Sequence, residues 1–321
     1  MKKLFLLLCL LCVAPLIQAQ DESLLFIHPG RETMVNFPSE SLGNTYTVSF
    51  FLPEDSVPLK QNYPVIVALG LVPKEDASFV AAYQKGNPAI VVGINFTEQD
   101  YTQKADKIVR FLSDEILPYT DANYLTKNGP ENRILAVQGP NAAKIALRVA
   151  QNPNLFGAVA LIHPGNVWEN VPVPSVRILG VGTQEELARA QQVLEQNGKI
   201  YGPDFALRYD DTTSFWLNPV NTQYLWASQA QVQLKTLKAD VLFNHISLSA
   251  PKDIPLRVWA VLADNSLFHY VPVSVRISPP FLAWDPMQGV FRVLAGAEPG
   301  KVKIYQSVDK NPFSVKIRLK K

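Results

Sequence analysis

The sequence predicts an α/β domain, built on a mostly parallel sheet with helices on both faces, followed by an all-β domain. Two observations lead to this fold class. Up to about residue 235, short apolar runs alternate with segments of helical periodicity, and strands that are regularly separated by helices form parallel sheets. Beyond Lys238 the helical periodicity stops, and short runs rich in Val, Ile and aromatic residues follow one another between turn signals. A chain of 321 residues is long enough for two such domains.

Strands and helices take turns in the first part. Residues 46–52 alternate as an outer strand does, and residues 63–70 form a continuous apolar run typical of a central strand. The remaining elements are predicted strands at 89–95, 157–162, 176–181 and 205–209, helices at 77–84, 104–117, 185–196 and 219–235, and a strand, turn and helix within 133–150. We expect Pro118 to end the helix 104–117, because proline does not fit a helix interior.

The second part contains six short runs of strand type, at 241–248, 256–262, 268–277, 289–294, 302–306 and 313–319. Six or seven short strands in this length are typical of an immunoglobulin-like β-sandwich. The predicted organisation is therefore a lead-in at 20–40, the α/β domain at 41–236 and the immunoglobulin-like domain at 237–321.

The first 19 residues have the pattern of a secretory signal. Lys2 and Lys3 precede an apolar run at 4–17, which ends in small and polar residues. This predicts an exported protein, periplasmic or extracellular in a bacterium. Cys9 and Cys12 both lie in the signal, so the mature chain would carry no disulfide. A lipoprotein is the alternative, although neither cysteine follows a small residue. No later stretch reaches the roughly 20 apolar residues that a transmembrane helix needs.

Charge is unevenly distributed along the chain. Residues 21–237 contain 16 basic and 22 acidic side chains, whereas residues 238–321 contain 12 basic and 6 acidic ones. This asymmetry is compatible with docking between the domains, with contact to a polyanion and with an ordinary soluble surface. The partners we expect are a small molecule, a glycan or an envelope protein, and not nucleic acid.

The segment 133–150 has the layout of a nucleophile elbow, with a buried strand, a sharp turn and an amphipathic helix. The elbow pattern is Gly-x-Ser-x-Gly, whereas the chain reads Gly139-Pro140-Asn141-Ala142-Ala143. Asn141 therefore stands where a catalytic serine is expected, and an amide is not a nucleophile. Because the central residue of an elbow is strained, we expect a positive φ at Asn141, which asparagine tolerates best after glycine.

Several stretches in the first part carry a family resemblance. They are Ser41-Leu-Gly-Asn-Thr-Tyr-Thr-Val-Ser-Phe-Phe-Leu-Pro53, Ile90-Val-Val-Gly93, Ile116-Leu-Pro-Tyr119, Glu131-Asn-Arg133 and Asn152-Pro-Asn-Leu-Phe-Gly-Ala-Val-Ala160. Their order and spacing from Ser41 to Lys235 resemble the putative-esterase family of α/β-hydrolases, which includes feruloyl, acetyl and siderophore esterases. The resemblance implies an α/β-hydrolase fold and a catalytic serine, histidine and carboxylate.

The triad that the resemblance implies is degenerate in this chain. Its three positions fall at Asn141, Thr213 and Glu185, so the serine and the histidine are both replaced. A threonine hydroxyl does not accept a proton near neutral pH as an imidazole does. The turn at Gly70 stands where the family has its oxyanion loop, whose N–H groups would then bind rather than catalyse.

The predicted binding pocket lies at the carboxyl ends of the strands, where ligands of open α/β sheets bind. The residues expected to line it are Gly70, Gly139, Asn141, His163, Glu185, Thr213 and Ser214. No metal is expected, because His28, His245 and His269 lack ligand spacing, and no cofactor motif is present.

These observations leave three hypotheses open. The first is an exported, catalytically inactive esterase-like protein that acts in binding or in cell-envelope interaction. The second is an active secreted ester hydrolase of the carbohydrate or siderophore type, with its nucleophile at Ser214 or Thr213 and His163 as the base. The third is a structural component of the envelope, in which side chains fill the cleft.

Overall fold

The computed structural model describes residues 32–53, 61–70, 73–169, 172–209, 219–308 and 311–321. The predicted signal at 1–19, His28, Thr213 and Ser214 lie outside these ranges.

The first eight strands form a mixed, mainly parallel sheet. They are β1 (Glu32–Ser39), β2 (Asn44–Phe51), β3 (Val65–Leu69), β4 (Ile90–Ile94), β5 (Arg133–Gln138), β6 (Ala158–Ile162), β7 (Arg177–Gly182) and β8 (Phe205–Tyr209). Their spatial order is β1-β2-β4-β3-β5-β6-β7-β8, with β1 and β2 antiparallel to their neighbours and the rest parallel. Every residue of β3, β4 and β6 is buried, as expected for strands covered on both faces. The predicted sheet with helices is confirmed, whereas β1 in the predicted lead-in was missed.

The helices are α1 (Pro73–Gln84), α2 (Glu98–Gln103), α3 (Ala105–Arg110), α4 (Leu117–Asn123), α5 (Pro140–Val149), α6 (Gln184–Gln196) and α7 (Pro219–Trp226), with a π-helical turn at Phe111–Ile116. The predicted stop at Pro118 is wrong, because the helix continues to Asn123. Pro118 lies directly after the π turn, in which the N–H of Leu117 bonds to the carbonyl of Leu112, five residues back.

The predicted helix at 219–235 is also wrong in its second half. α7 ends at Trp226, and the next strand begins at Leu234. Arg177 terminates this helix by donating hydrogen bonds from Nη1 to the carbonyls of Tyr224 (2.9 Å) and Ala227 (2.6 Å). A cation at this point satisfies carbonyls that have no partner within the helix.

The second part is all β, as predicted. Its strands are β9 (Leu234–Val241), β10 (His245–Ser247), β11 (Ile254–Leu262), β12 (Leu267–His269), β13 (Arg276–Ser278), β14 (Leu282–Asp285), β15 (Val290–Val293), β16 (Gly300–Val308) and β17 (Asn311–Lys320). β12 pairs with β8 through His269 and Leu207, so the large sheet continues into β12, β11, β15 and β14, and β9 pairs with β11. A separate four-stranded sheet has the order β10-β17-β16-β13. The immunoglobulin-like form of this region and the domain boundary at 236 stay predictions.

The elements place one edge of the large sheet in a position to form a site. The carboxyl ends of the neighbouring strands β3, β5, β6 and β7 lead into Gly70, Gly139, His163 and Thr183 respectively. α5 follows β5 directly and buries an apolar face, which consists of Ala142, Ala143, Ile145, Ala146, Leu147 and Val149. None of the helices within the described ranges is long and apolar enough to cross a membrane.

Candidate functional site

The turn between β5 and α5 differs from the strained elbow that the sequence predicts. Asn141 is the second residue of α5, and the positive φ falls on Gly139 instead (φ 86°, ψ 162°). The prediction of a positive φ at Asn141 is therefore wrong. Pro140 explains the difference, since its ring fixes a helical φ and makes it the first residue of the helix. The left-handed residue must then precede the proline, and glycine supplies it without steric cost.

The Asn141 side chain is held by a carboxylate from a neighbouring helix. Its Nδ2 donates a hydrogen bond to Oε2 of Glu98 at 2.8 Å. Glu98 is the first residue of α2, whose start is fixed by a capping box between Thr97 and Asp100. The amide is thus positioned by an element that is itself anchored, and it offers hydrogen bonds but no nucleophile.

His163 occupies the left-handed region directly after β6, with a φ of 47°. Its Nδ1 lies 3.2 Å from Oε2 of Glu186. The backbone N–H of His163 donates to the carbonyl of Val181 at 2.8 Å. The other carboxylate oxygen of Glu186 accepts the N–H of Gly165 at 3.0 Å. His163 is therefore fixed at the sheet edge by its ring and by its backbone.

The surroundings of Glu186 stabilise its negative charge. Burial raises the pKa of Glu186. The hydrogen bonds from the N–H groups of Thr183 and Gly165 and from the ring of His163 lower it by more than burial raises it, so the pKa lies below its ordinary value. Gly182 makes room for this carboxylate, because a Cβ at position 182 would lie 2.5 Å from Oε2.

Glu185, the carboxylate position in the predicted triad, is directed elsewhere. Its side chain is 54% exposed and pairs with Arg189 one turn further along α6, at 2.8 Å. The structure brings Glu186 to His163 instead. The sequence contained a signal for this, since Thr183 and Glu186 have the spacing of a capping box, which turns the glutamate back toward the helix start.

Gly70 and Gly139, two further predicted pocket residues, lie at the same edge of the sheet. Gly70 follows β3 with a φ of 93°, and its N–H donates to the carbonyl of Ile94 at 2.9 Å. The loop after His163 touches the elbow, because a Cβ at Gly165 would meet Cβ of Pro140 at 3.4 Å. Thr213 and Ser214 lie outside the described residues.

The edge of the sheet therefore carries two hydrogen-bonded pairs that each contain one carboxylate, Asn141 with Glu98 and His163 with Glu186. Such groups offer donors and acceptors to a polar ligand. Within the described part of the chain, no cluster of three His, Cys, Asp or Glu side chains could hold a metal ion.

The chain is similar in structure to several proteins. An enterobactin esterase from Shigella flexneri has 16% identity and a TM-score of 0.48 over 61% of this chain and 58% of its own. An uncharacterised protein from Capnocytophaga ochracea has 16% identity and a TM-score of 0.43 over 61% and 62%. A ferulic acid esterase from the anaerobic fungus Anaeromyces mucronatus has 15% identity and a TM-score of 0.44 over 64% and 92%. The match thus spans about three fifths of the first two proteins. No protein-family model and no curated protein matches the sequence.

Proposed function

We propose that this chain is an exported, catalytically inactive esterase-like protein, and that the edge carrying Asn141 and His163 binds a polar ligand. The observation that carries the proposal is the hydrogen bond of Asn141 Nδ2 to Glu98 Oε2, at the position where an esterase would hold its nucleophile. The signal-like first 19 residues support export.

Covalent ester cleavage needs a hydroxyl or thiol that a base within about 2.6–3.2 Å activates. Asn141 has neither group, and its partner is a carboxylate rather than an imidazole. The helical conformation of Asn141 also differs from the exposed, strained position that a nucleophile occupies on an elbow. Both features point away from catalysis at this residue.

Binding is the chemistry that remains. The pairs Asn141 with Glu98 and His163 with Glu186 present hydrogen-bond acceptors and donors. A few convergent polar groups at the strand ends are typical of ligand sites in α/β sheets. The hydroxyl and amide groups of a small molecule or a glycan fit such groups.

Hydrolysis of p-nitrophenyl acetate tests the proposal. We expect purified protein to release p-nitrophenol at the rate of a heat-denatured sample, because no activated nucleophile stands at the elbow. Asn141→Ala serves as the matched variant. Activity well above the denatured sample that disappears in Asn141→Ala would overturn the proposal.

A second function is favoured by the pairing of His163 with Glu186. A carboxylate 3.2 Å from Nδ1 orients an imidazole as the acid of a hydrolase triad does. The chain would then be an active ester hydrolase with His163 as the base and Ser214 or Thr213 as the nucleophile. Activity that survives in Asn141→Ala but is lost in His163→Gln and in Ser214→Ala or Thr213→Val would establish this second function.

A further inference from the structure

The outward face of the four-stranded sheet carries a cluster of basic side chains. Six exposed cations on three of its strands form this surface, which we name the basic face: Arg276, Lys301, Lys303, Lys316, Arg318 and Lys320. They alternate with buried residues that point to the core, namely Val302, Ile304, Ile317 and Leu319. The alternation fixes all the cations of β16 and β17 on one side of the sheet.

Like charges stand directly opposite one another on the basic face. The register of β16 and β17 pairs Lys301 with Arg318 and Lys303 with Lys316. Opposed side chains on one face have Cβ atoms about 5 Å apart, so each of these pairs destabilises the sheet. The strands β10, β13, β16 and β17 contain no aspartate or glutamate that would offset this repulsion.

The six cations also have no anionic partner elsewhere within the described residues. The ion pairs found there involve other side chains, on Lys104, Arg133, Arg148, His163, Arg189 and Arg292. Lys303 instead places its Nζ 5.2 Å from the ring centroid of Tyr305, on the same face. The opposed like charges destabilise the sheet, and no described carboxylate offsets them. An external polyanion would relieve this repulsion by neutralising the cations.

A cavity opens beside the basic face, where β13 pairs with β16. Its volume is about 360 Å³, and its lining includes Arg276, Tyr305 and Gln306. Oε1 of Gln306 is buried without a hydrogen-bond partner within the described residues. An aromatic ring beside a guanidinium group suits a sugar that carries a negative charge.

We propose that the basic face binds an acidic polysaccharide, with one sugar unit placed in the cavity against Tyr305. Adjacent strands are about 4.8 Å apart, and alternate residues of a strand are about 6.7 Å apart. The cations thus form closely spaced rows, and successive anionic sugars of a chain would contact them one after another. A flat anionic membrane would also attract the lysines, but it would not use the cavity with Tyr305 and Gln306.

Binding of an oligogalacturonate of defined length, measured by calorimetry at low and high salt, tests the proposal. We expect binding that weakens steeply with added salt, because exposed charge pairs are screened. Neutral dextran of the same length and phosphatidylglycerol vesicles are the comparison probes, and neither is expected to match the oligogalacturonate. Equal binding of dextran, or stronger binding of the vesicles, would overturn the proposal.

Lys316→Glu separates binding from stability. The new carboxylate faces Lys303, so we expect the melting temperature to rise while affinity for the oligogalacturonate falls about fivefold or more. Lys107→Glu and Lys127→Glu are matched controls, since they change the net charge equally at exposed positions of the α/β part. The controls should retain affinity. An equal loss in the controls would assign the binding to overall charge and contradict a site on the basic face.

Tyr305→Ala tests the sugar directly, because it leaves the net charge unchanged. We expect it to weaken oligogalacturonate binding at high salt, where stacking contributes most. Unchanged affinity in Tyr305→Ala, with circular dichroism showing an intact fold, would overturn the identification of the ligand as a saccharide.

Discussion

Pro140 and Asn141 together determine what the elbow of this chain presents. The proline makes the turn helical from its first residue, and the asparagine side chain then reaches Glu98 on α2. The residue types predict the loss of the nucleophile, and this stays a prediction. The sequence did not predict the helical conformation of Asn141. The expected positive φ is that of an elbow without proline, whereas here Pro140 starts the helix and Gly139 takes the positive φ.

Asn141→Ser tests whether the residue type alone limits catalysis. We expect the variant to hydrolyse p-nitrophenyl acetate no faster than the unmodified chain, because a serine at this point would face the Glu98 carboxylate and not an imidazole. The measurement is the initial rate at pH 8, with Lys144→Ser on the same helix as a control. A gain of tenfold or more would mean that a base lies within reach of position 141.

Glu186 gives the site its acid sensitivity. Since its pKa is lowered in the folded protein, its stabilising contribution is present above the unfolded pKa of about 4.3 and is lost as the pH falls through the folded value. We expect Glu186→Gln to lower the free energy of unfolding at pH 7 by about 1–2 kcal/mol, through weaker hydrogen bonds to Thr183, Gly165 and His163.

Urea unfolding of this variant between pH 3 and pH 7 supplies the measurement. The difference from the unmodified chain should shrink toward pH 3. Glu185→Gln is the natural control, because the side chain of Glu185 is exposed and makes one surface ion pair. A loss of equal size in Glu185→Gln would be inconsistent with the assignment of the buried role to Glu186.

At the scale of elements, hydrophobic periodicity predicted the central sheet well. Apolar runs such as those of β3, β4 and β6 are specific for strands buried on both faces. The errors arose where a tertiary contact overrides local preference. Trp226 ends α7 because Arg177, which lies far away in sequence, satisfies the carbonyls there. β1 was missed because its pairing with β2, rather than a distinctive run of its own, makes it a strand.

Arg177 should consequently be a strong stabilising residue. Arg177→Met removes hydrogen bonds to four carbonyl oxygens, those of Pro203, Tyr224, Leu225 and Ala227. We expect a loss of about 2–3 kcal/mol in the free energy of unfolding, since partly buried acceptors would lose a charged donor. Arg110→Met, at an exposed position, is the control and should change little. Surface substitutions usually change the free energy of unfolding by less than about 0.5 kcal/mol. A change as small as this in Arg177→Met would refute the stabilising role.

For the whole molecule, the contact between β8 and β12 is the feature that sequence could not supply. Two regions of different sequence texture predict separate domains, and His269 pairs with Leu207 to join their strands in one sheet. His269 also accepts the N–H of Tyr209 at its Nδ1, at 2.9 Å. Such a junction depends on register between strands about 60 residues apart, which periodicity does not encode.

This junction should weaken in mild acid. Burial, together with the charges of Arg208 and Arg257, lowers the pKa of His269 to about 4. The unfolded chain binds the proton near pH 6.5, so stability is full above that pH and falls as the pH decreases from about 6.5 to 4. Protonation would also break the hydrogen bond from Tyr209.

His269→Gln is the variant that isolates this effect, because its Oε1 can accept the same N–H and does not titrate. We expect the unmodified chain to lose about 2 kcal/mol between pH 7 and pH 4.5, and the variant to lose clearly less. Chemical denaturation at the two pH values is the measurement. Identical pH dependence in both proteins would show that His269 is not the titrating group.

The central proposal, that the chain is esterase-like and has no activated nucleophile, is tested most directly by labelling with a fluorophosphonate. This reagent forms a stable adduct with activated serine or threonine hydroxyls, and intact-mass spectrometry detects the adduct. The predicted result is an unchanged mass after prolonged incubation, with an active serine esterase labelled in parallel. Stoichiometric labelling of one hydroxyl, at Ser214, Thr213 or elsewhere, would contradict the account.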